Sequence, residues 1–406
     1  MSQIKALKCR ECGSEFPAIK IHACENCFGP LEVEYDLDSL ELDRLTFSNR
    51  ARSLWRYKEL LPLQKKSKII DIGAGYTRLI DCKRLAEALG LKKLWVKDDT
   101  ENPTGSFKDR PATVAVSKAL ELGYKAVGCA STGNLAAATA AHAAKAGLPC
   151  YVFVPADIEA NKILQASIYG ANIIAVNGTY DQANRLGAQA ADEFDWALVN
   201  INVRSYYVEG SKTLAFETCE QLGWRAPDNI VIPMGSGALL CAVSRGLKQF
   251  RKLDLIDDLP TKIIGAQPQG CSPISSAFKS KLDDVIPVES PDTIAKSLAI
   301  GDPGDGIYAL KAIRESNGFA EYASDAEILE GIKLLAKTEG IFAEPAGGVT
   351  IASLKKLVDS GELSRDEETV CYITGSGFKS ADTLLKSIPP LNVIEPSIDE
   401  LKKLVH

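Results

Sequence analysis

Lys108 lies in the stretch NPTGSFKDR, residues 102–110, with Phe107 before it and Asp109 and Arg110 after it. Most lysines are solvated cations. A lysine whose pKa is lowered by burial or by its neighbours is a free amine, able to form a Schiff base with an aldehyde. Three other loops offer anion-binding chemistry: STGN at 131–134, GSGAL at 235–239 and TGSG at 374–377. In PMGSGALL a strand runs into a helix, so successive backbone N–H groups converge on an anion at the helix N-terminus. This loop has neither the GxGxxG spacing nor the GK[ST] ending, which disfavours dinucleotides and nucleoside triphosphates. Taken singly, each loop also reads as a plain helix cap or tight turn.

A second chemistry is carried by cysteine. Cys9 and Cys12 form one CxxC, and Cys24 and Cys27 form another. Two such knuckles can present four thiolates tetrahedrally to zinc. With short strands expected over FPAIKIHA and LEVEYDL, residues 1–35 read as a zinc-ribbon-like segment holding a structural zinc ion. The other seven cysteines, at 82, 129, 150, 219, 241, 271 and 371, stand alone in mostly apolar runs and read as small buried residues. Three histidines in 406 residues disfavour a His-rich metal site.

The elements that must position these groups alternate. KAVGCAS, PCYVFVP, ANIIAVNG, NIVIP, TKIIGAQP and ETVCYI are apolar strands, and helices are expected over LAAATAAHAAKAG, EANKILQASIYG, YDQANRLGAQAADEF and AVSRGLKQFRKL. Strands buried on both faces and alternating with helices give an α/β fold with parallel sheets, which binds ligands at the carboxyl ends of its strands. SKLDDVIPVESPD reads as a surface loop, and PPLNVIEPSIDELKKLVH as a strand followed by an amphipathic helix. The net charge of −6 gives no general attraction to nucleic acid or to an anionic membrane. No apolar run is long enough to cross a bilayer and the first residues carry no signal-peptide pattern, so a cytoplasmic protein is expected.

Taken in order, NPTGSFKDR, STGN, GSGAL and TGSG resemble the fold type II pyridoxal-phosphate enzymes, and within them the threonine synthase family. LWRYKELLP near 55, GAGYTRL near 73, EGSKTLAFETCEQLGW from 209 and the run ending FAEPAGG at 348 extend the resemblance over roughly residues 54–383. The resemblance implies two doubly wound three-layer domains. The larger, pyridoxal-phosphate-binding domain would comprise 36–100 and 200–385, and the smaller 101–199, with 386–406 as a tail. It implies a homodimer. It also implies that Lys108 holds the cofactor and moves protons, that Phe107 lies beside the cofactor, and that Asn134 bonds its 3-hydroxyl. Gly235, Ser236, Gly237, Ala238 and Leu239 would cradle its phosphate, and Thr374 would face its ring nitrogen. Ser131, Thr132 and Gly133 would take the substrate carboxylate.

The reaction so implied converts O-phospho-L-homoserine and water to L-threonine and phosphate. The chain departs from the family pattern at Leu135, Ser376 and Ser380, and the family's phosphate-holding arginine falls on Tyr207. Arg204 is the expected replacement, with Lys379 and Lys212 as other candidates and a solvated charge as the bland reading of all three. Two other functions stay open: β-elimination or β-replacement on serine, threonine or O-phosphoserine, and a zinc-ribbon binding protein built on an inactive enzyme-like domain.

Overall fold

The computed structural model describes residues 4–385 except Thr132, together with Ile388 and residues 392–405. An N-terminal ribbon is built from β1 (Ile4–Cys9), β2 (Glu15–Phe16) and β3 (Leu31–Tyr35). Next come β4 (Leu79–Asp81) and β5 (Lys93–Asp98), then β6 (Val127–Ala130), β7 (Cys150–Pro155), β8 (Asn172–Val176) and β9 (Ala197–Leu198). The last strands are β10 (Asn229–Pro233), β11 (Lys262–Pro268), β12 (Ala320–Ala323) and β13 (Glu368–Ile373).

These strands form three sheets, in the orders β2-β1-β3, β12-β11-β10-β13-β5-β4 and β8-β7-β6-β9. The four-stranded sheet is parallel throughout. In the six-stranded sheet only the β4 edge is antiparallel. Every residue of β6, β10 and β13 is buried, as expected for strands covered by helices on both faces.

Side-chain alternation divides the large sheet between two cores. Ile230, Ile232, Val370 and Tyr372 face one, and Val231, Cys371 and Ile373 face the other. The first core also takes in Val127 and Val152 of the small sheet, and Leu7, Leu31 and Val33 of the ribbon. Ribbon, small sheet and one face of the large sheet therefore share a single apolar interior.

Two local expectations are corrected. In FPAIKIHA only Phe16 belongs to a strand, and the main ladder of the ribbon pairs β1 with β3 instead. Pro17 lacks the N–H that would continue β2. In the tail, residues 392–396 form no strand, whereas the helix Ile398–Leu404 is present. Pro396 removes a ladder donor there. The expected tail strand otherwise falls on residues 389–391, outside the described residues.

The large sheet brings three loops side by side. β10, β13 and β5 are parallel neighbours, with Val231 opposite Cys371 and Ile373 opposite Asp98. Their carboxyl ends carry the loops at 234–237, 374–377 and 99–108.

Candidate active site

Lys108 immediately precedes the helix Asp109–Glu121. Its turn is fastened to the end of β13: Phe107 N–H donates to Thr374 O at 2.9 Å, and Ser376 N–H to Gly105 O at 2.9 Å. Lys108 is half-buried, with its amine 4.5 Å from the Phe107 ring centre and 5.9 Å from that of Tyr207. Burial pushes its pKa down to about 8, opposed by the Glu344 carboxylate and assisted by the positive charge of Arg204. Among the described residues its amine has no hydrogen-bond partner. A side chain in this state yields far more free amine near neutral pH than a solvated lysine does.

Asn134 opens the helix Asn134–Ala146 at the carboxyl end of β6, so the small sheet also delivers a group to this place. Its amide donates to both oxygens of Glu344, at 3.2 and 3.0 Å. Glu344 precedes the proline that starts the helix Pro345–Asp359, and it is buried. Desolvation raises its pKa, against the lowering effects of Asn134, Lys379 and Lys108. A Cβ at residue 375 would lie 2.4 Å from a Glu344 oxygen, so the backbone of TGSG can approach this carboxylate only because Gly375 has no side chain. Glu344 lies in the quoted FAEPAGG, yet no local pattern showed that its carboxylate turns back to Asn134, 210 residues away in sequence.

Residues 235–239 lead from β10 into the helix Ala238–Lys252, with Gly237 at φ +89° in the left-handed region that glycine tolerates. Ser236 O accepts from Asp305 N–H at 3.0 Å, which fixes the loop. Arg204 starts the short helix Arg204–Tyr207 and pairs with Asp305 through its guanidinium. Arg204 and Tyr207 are three residues apart, so they share one helix face. Tyr207 is buried and its hydroxyl has no partner among the described residues. The orphan hydroxyl of Tyr207 and the Lys108 amine, 5.9 Å from the centre of the same ring, both keep bonding capacity for a polar ligand.

Of the other candidate cations, Lys379 donates to Thr104 O at 2.9 Å and to Gln165 Oε1 at 2.5 Å, so it braces the lysine turn. Lys212 is neither solvated nor at the site. It is fully buried, donates to Glu209 at 2.5 Å and lies 4.1 Å from the Tyr35 ring centre. Ser131 accepts from Gly133 N–H at 3.4 Å, and Thr132 lies outside the described residues.

Directly behind the turn, Arg110 is fully buried and bidentate to Asp99, at 2.7 and 2.8 Å. It also bonds Glu217, at 2.5 and 2.8 Å, and Glu217 pairs with Lys97 at 2.7 Å. This network anchors the first turn of the helix that follows Lys108. In the ribbon, the four sulfurs of Cys9, Cys12, Cys24 and Cys27 lie within 4.8 Å of one another, with two pairs at 3.5 Å. Zinc–sulfur bonds of about 2.3 Å imply tetrahedral edges of about 3.8 Å, so these positions suit such an ion. Glu11 N–H and Asn26 N–H each point at a cysteine sulfur at 3.4 Å, as outer donors to a thiolate would. Of the seven lone cysteines, six are buried and Cys241 is half-buried.

An unpaired low-pKa lysine, set among glycine-rich loops where two parallel-sheet units meet, defines a fold type II pyridoxal-phosphate enzyme. The chain belongs to the pyridoxal-phosphate dependent enzyme family, whose pattern matches residues 70–375. It is 41% identical over 403 residues to a threonine synthase of Methanocaldococcus jannaschii, covering 98% of each chain. A threonine synthase of Halalkalibacterium halodurans is 38% identical over 360 residues, covering 87% of this chain and 98% of its own. Among solved structures, maize serine racemase superposes with a TM-score of 0.64 at 23% identity, over 77% of this chain and 91% of its own. That likeness shows the fold alone.

Proposed function

We propose that the protein converts O-phospho-L-homoserine and water to L-threonine and phosphate, the reaction of a threonine synthase. The observation that carries this reading is 41% identity to a threonine synthase along 98% of both chains. The site chemistry agrees: the lysine turn, the asparagine, the glycine loop and the late threonine fall at one place. Pyridoxal phosphate, when bound, supplies an electron sink for the substrate's α-carbon. Tyr207, with its orphan hydroxyl, and Lys108, with its free amine, fit such a guest.

In this reading Lys108 holds the cofactor's aldehyde and afterwards takes the proton from the substrate Cα. One amine can serve several proton transfers because reach comes first and a suitable pKa second. Phe107 packs beside the cofactor. Asn134, oriented by Glu344, bonds its 3-hydroxyl, and the amides of Gly235, Ser236, Gly237, Ala238 and Leu239 hold its phosphate. Thr374 faces the ring nitrogen, where a hydroxyl stabilises positive charge less than a carboxylate would. Ser131, Thr132 and Gly133 take the substrate carboxylate. Arg204 would take the substrate phosphate, which leaves from Cγ after a second proton is lost from Cβ; Cγ then gains a proton to become the methyl group, and water adds at Cβ.

The remaining parts of the reading are structural. Cys9, Cys12, Cys24 and Cys27 hold a zinc ion that stabilises the ribbon. Residues 36–100 with 200–385 act as the cofactor-binding domain and 101–199 as the smaller one. The enzyme works as a homodimer in the cytoplasm, a reading supported by the family resemblance. No described helix is long and apolar enough to cross a membrane. The test is product analysis with the holoprotein. Threonine and phosphate released in equal amounts from O-phosphohomoserine support the proposal. Ammonia and a 2-oxo acid from serine or threonine, without turnover of O-phosphohomoserine, would replace it with a β-elimination activity.

A further inference from the structure

A line of charge runs from the cysteine knuckle into the site. Arg10 lies between Cys9 and Cys12, and its guanidinium donates to Asp305 Oδ1 at 2.9 Å. The other oxygen of the same carboxylate accepts from Arg204. Asp305 is buried and the Arg10 side chain is 17% exposed, so the shared carboxylate is out of water, while Arg204, at 32%, stays open to a ligand. Arg10 is itself held firmly, with its guanidinium 3.4 Å from the Tyr308 ring centre and its Nε 3.6 Å from Glu32. Tyr308 in turn donates to Glu11, so both inner residues of the first CxxC reach the segment 305–308. The backbone of Asp305 meanwhile braces Ser236 in the glycine loop.

We propose that Arg10 and Asp305 are positioning residues for Arg204, so that the N-terminal cysteine knuckle helps set the affinity for the substrate's phosphate. The inference rests on the anion role given to Arg204 above. Its logic is one of charge. Asp305 alone with Arg204 makes a neutral pair, which holds the guanidinium in place but cancels its pull on an anion. Sharing the carboxylate with Arg10 restores a positive balance: with the groups paired onward from Arg10, the cations Arg10, Arg204, Arg245 and Lys212 stand against the carboxylates of Asp305, Glu32 and Glu209, and one positive charge is in excess. Arg204 is then both fixed in position and attractive to a phosphate. The knuckle contributes by fixing the backbone from which Arg10 reaches Asp305.

The test compares wild type, Arg10→Met, Arg10→Lys, Arg204→Ala and the Arg10→Met/Arg204→Ala double variant as holoproteins. Methionine keeps an apolar stem over Tyr308 while removing the charge. Metal content and the visible absorbance of the bound cofactor are measured first, to confirm that knuckle and site are intact. Binding of inorganic phosphate is then followed by calorimetry, alongside KM and kcat with O-phosphohomoserine. Arg10→Met should weaken phosphate binding and raise KM at least about five-fold, with kcat changed less than about two-fold. Arg10→Lys should recover part of the loss. In the Arg204→Ala background the Arg10 substitution should add nothing, since the two act through one contact. Unchanged phosphate affinity in Arg10→Met beside a weakened Arg204→Ala overturns this inference alone. An equal Arg10 effect in the Arg204→Ala background also overturns it. Unchanged affinity in Arg204→Ala overturns both this inference and the anion role of Arg204.

Discussion

Two buried sets of charge lie on either side of residue 109, and they are built in opposite ways. Behind the turn, Arg110, Asp99, Glu217 and Lys97 are saturated: every charged atom faces a partner. In front of it, Lys108 carries no hydrogen bond among the described residues, the Tyr207 hydroxyl is orphaned, and burial raises the Glu344 pKa. Burial costs both sets their hydration. The first recovers that loss through mutual pairing, which holds a fixed geometry. The second leaves bonding capacity for a ligand, and such under-paired groups mark working sites rather than scaffolds. The difference separates a lysine turn that is rigidly mounted from a lysine that is chemically free.

That contrast can be broken by substitution. Glu217→Ala would strip Lys97 of its carboxylate and leave Arg110 with Asp99 alone, one buried cation in excess, and should lower the unfolding free energy in denaturant titration by about 3–5 kcal/mol. A loss below about 0.5 kcal/mol, the scale of ordinary surface changes, would show that the network is not the mount.

A smaller effect should appear with pH. Lys108 is held at about 8, below its ordinary 10.5, because burial disfavours the ammonium. Its folded pKa is therefore depressed, so between about pH 8 and 10.5 the unfolded chain holds the proton and the folded chain does not. The stability contributed by this group rises with pH across that window. In the cofactor-free protein, the rate at which Lys108 captures pyridoxal phosphate should likewise rise with pH, with a midpoint near 8. A midpoint above about 10, the range of a solvated lysine, would contradict the desolvated setting.

Much of this arrangement was legible in the sequence because its signals are local. The helix over Tyr180–Phe194 starts at a Thr179–Gln182 capping box, and most of the parallel strands read as apolar runs. The lysine turn and the three loops were visible as motifs in order. What could not be read depends on long-range contacts. Asp305 meets Arg10 and Arg204 at separations of 295 and 101 residues, and nothing in GDPGDGIY marks it. Lys212 invited a role at the site, yet Glu209, three residues before it and paired also with Arg245, draws it into a buried cluster. The ribbon's ladder was misplaced because the decisive strand, β1, is partly polar and gains its meaning only from pairing with β3.

The central claim is that Lys108 is the reactive amine on a mount that does not depend on it. Its most direct test is Lys108→Ala, with cofactor absorbance, threonine formation from O-phosphohomoserine and unfolding free energy measured on one preparation. The expected result is no lysine-linked visible band and threonine formation reduced by more than about 10³-fold, with stability within about 1 kcal/mol of the parent. A variant that keeps the band and forms threonine at the parent rate would contradict the account.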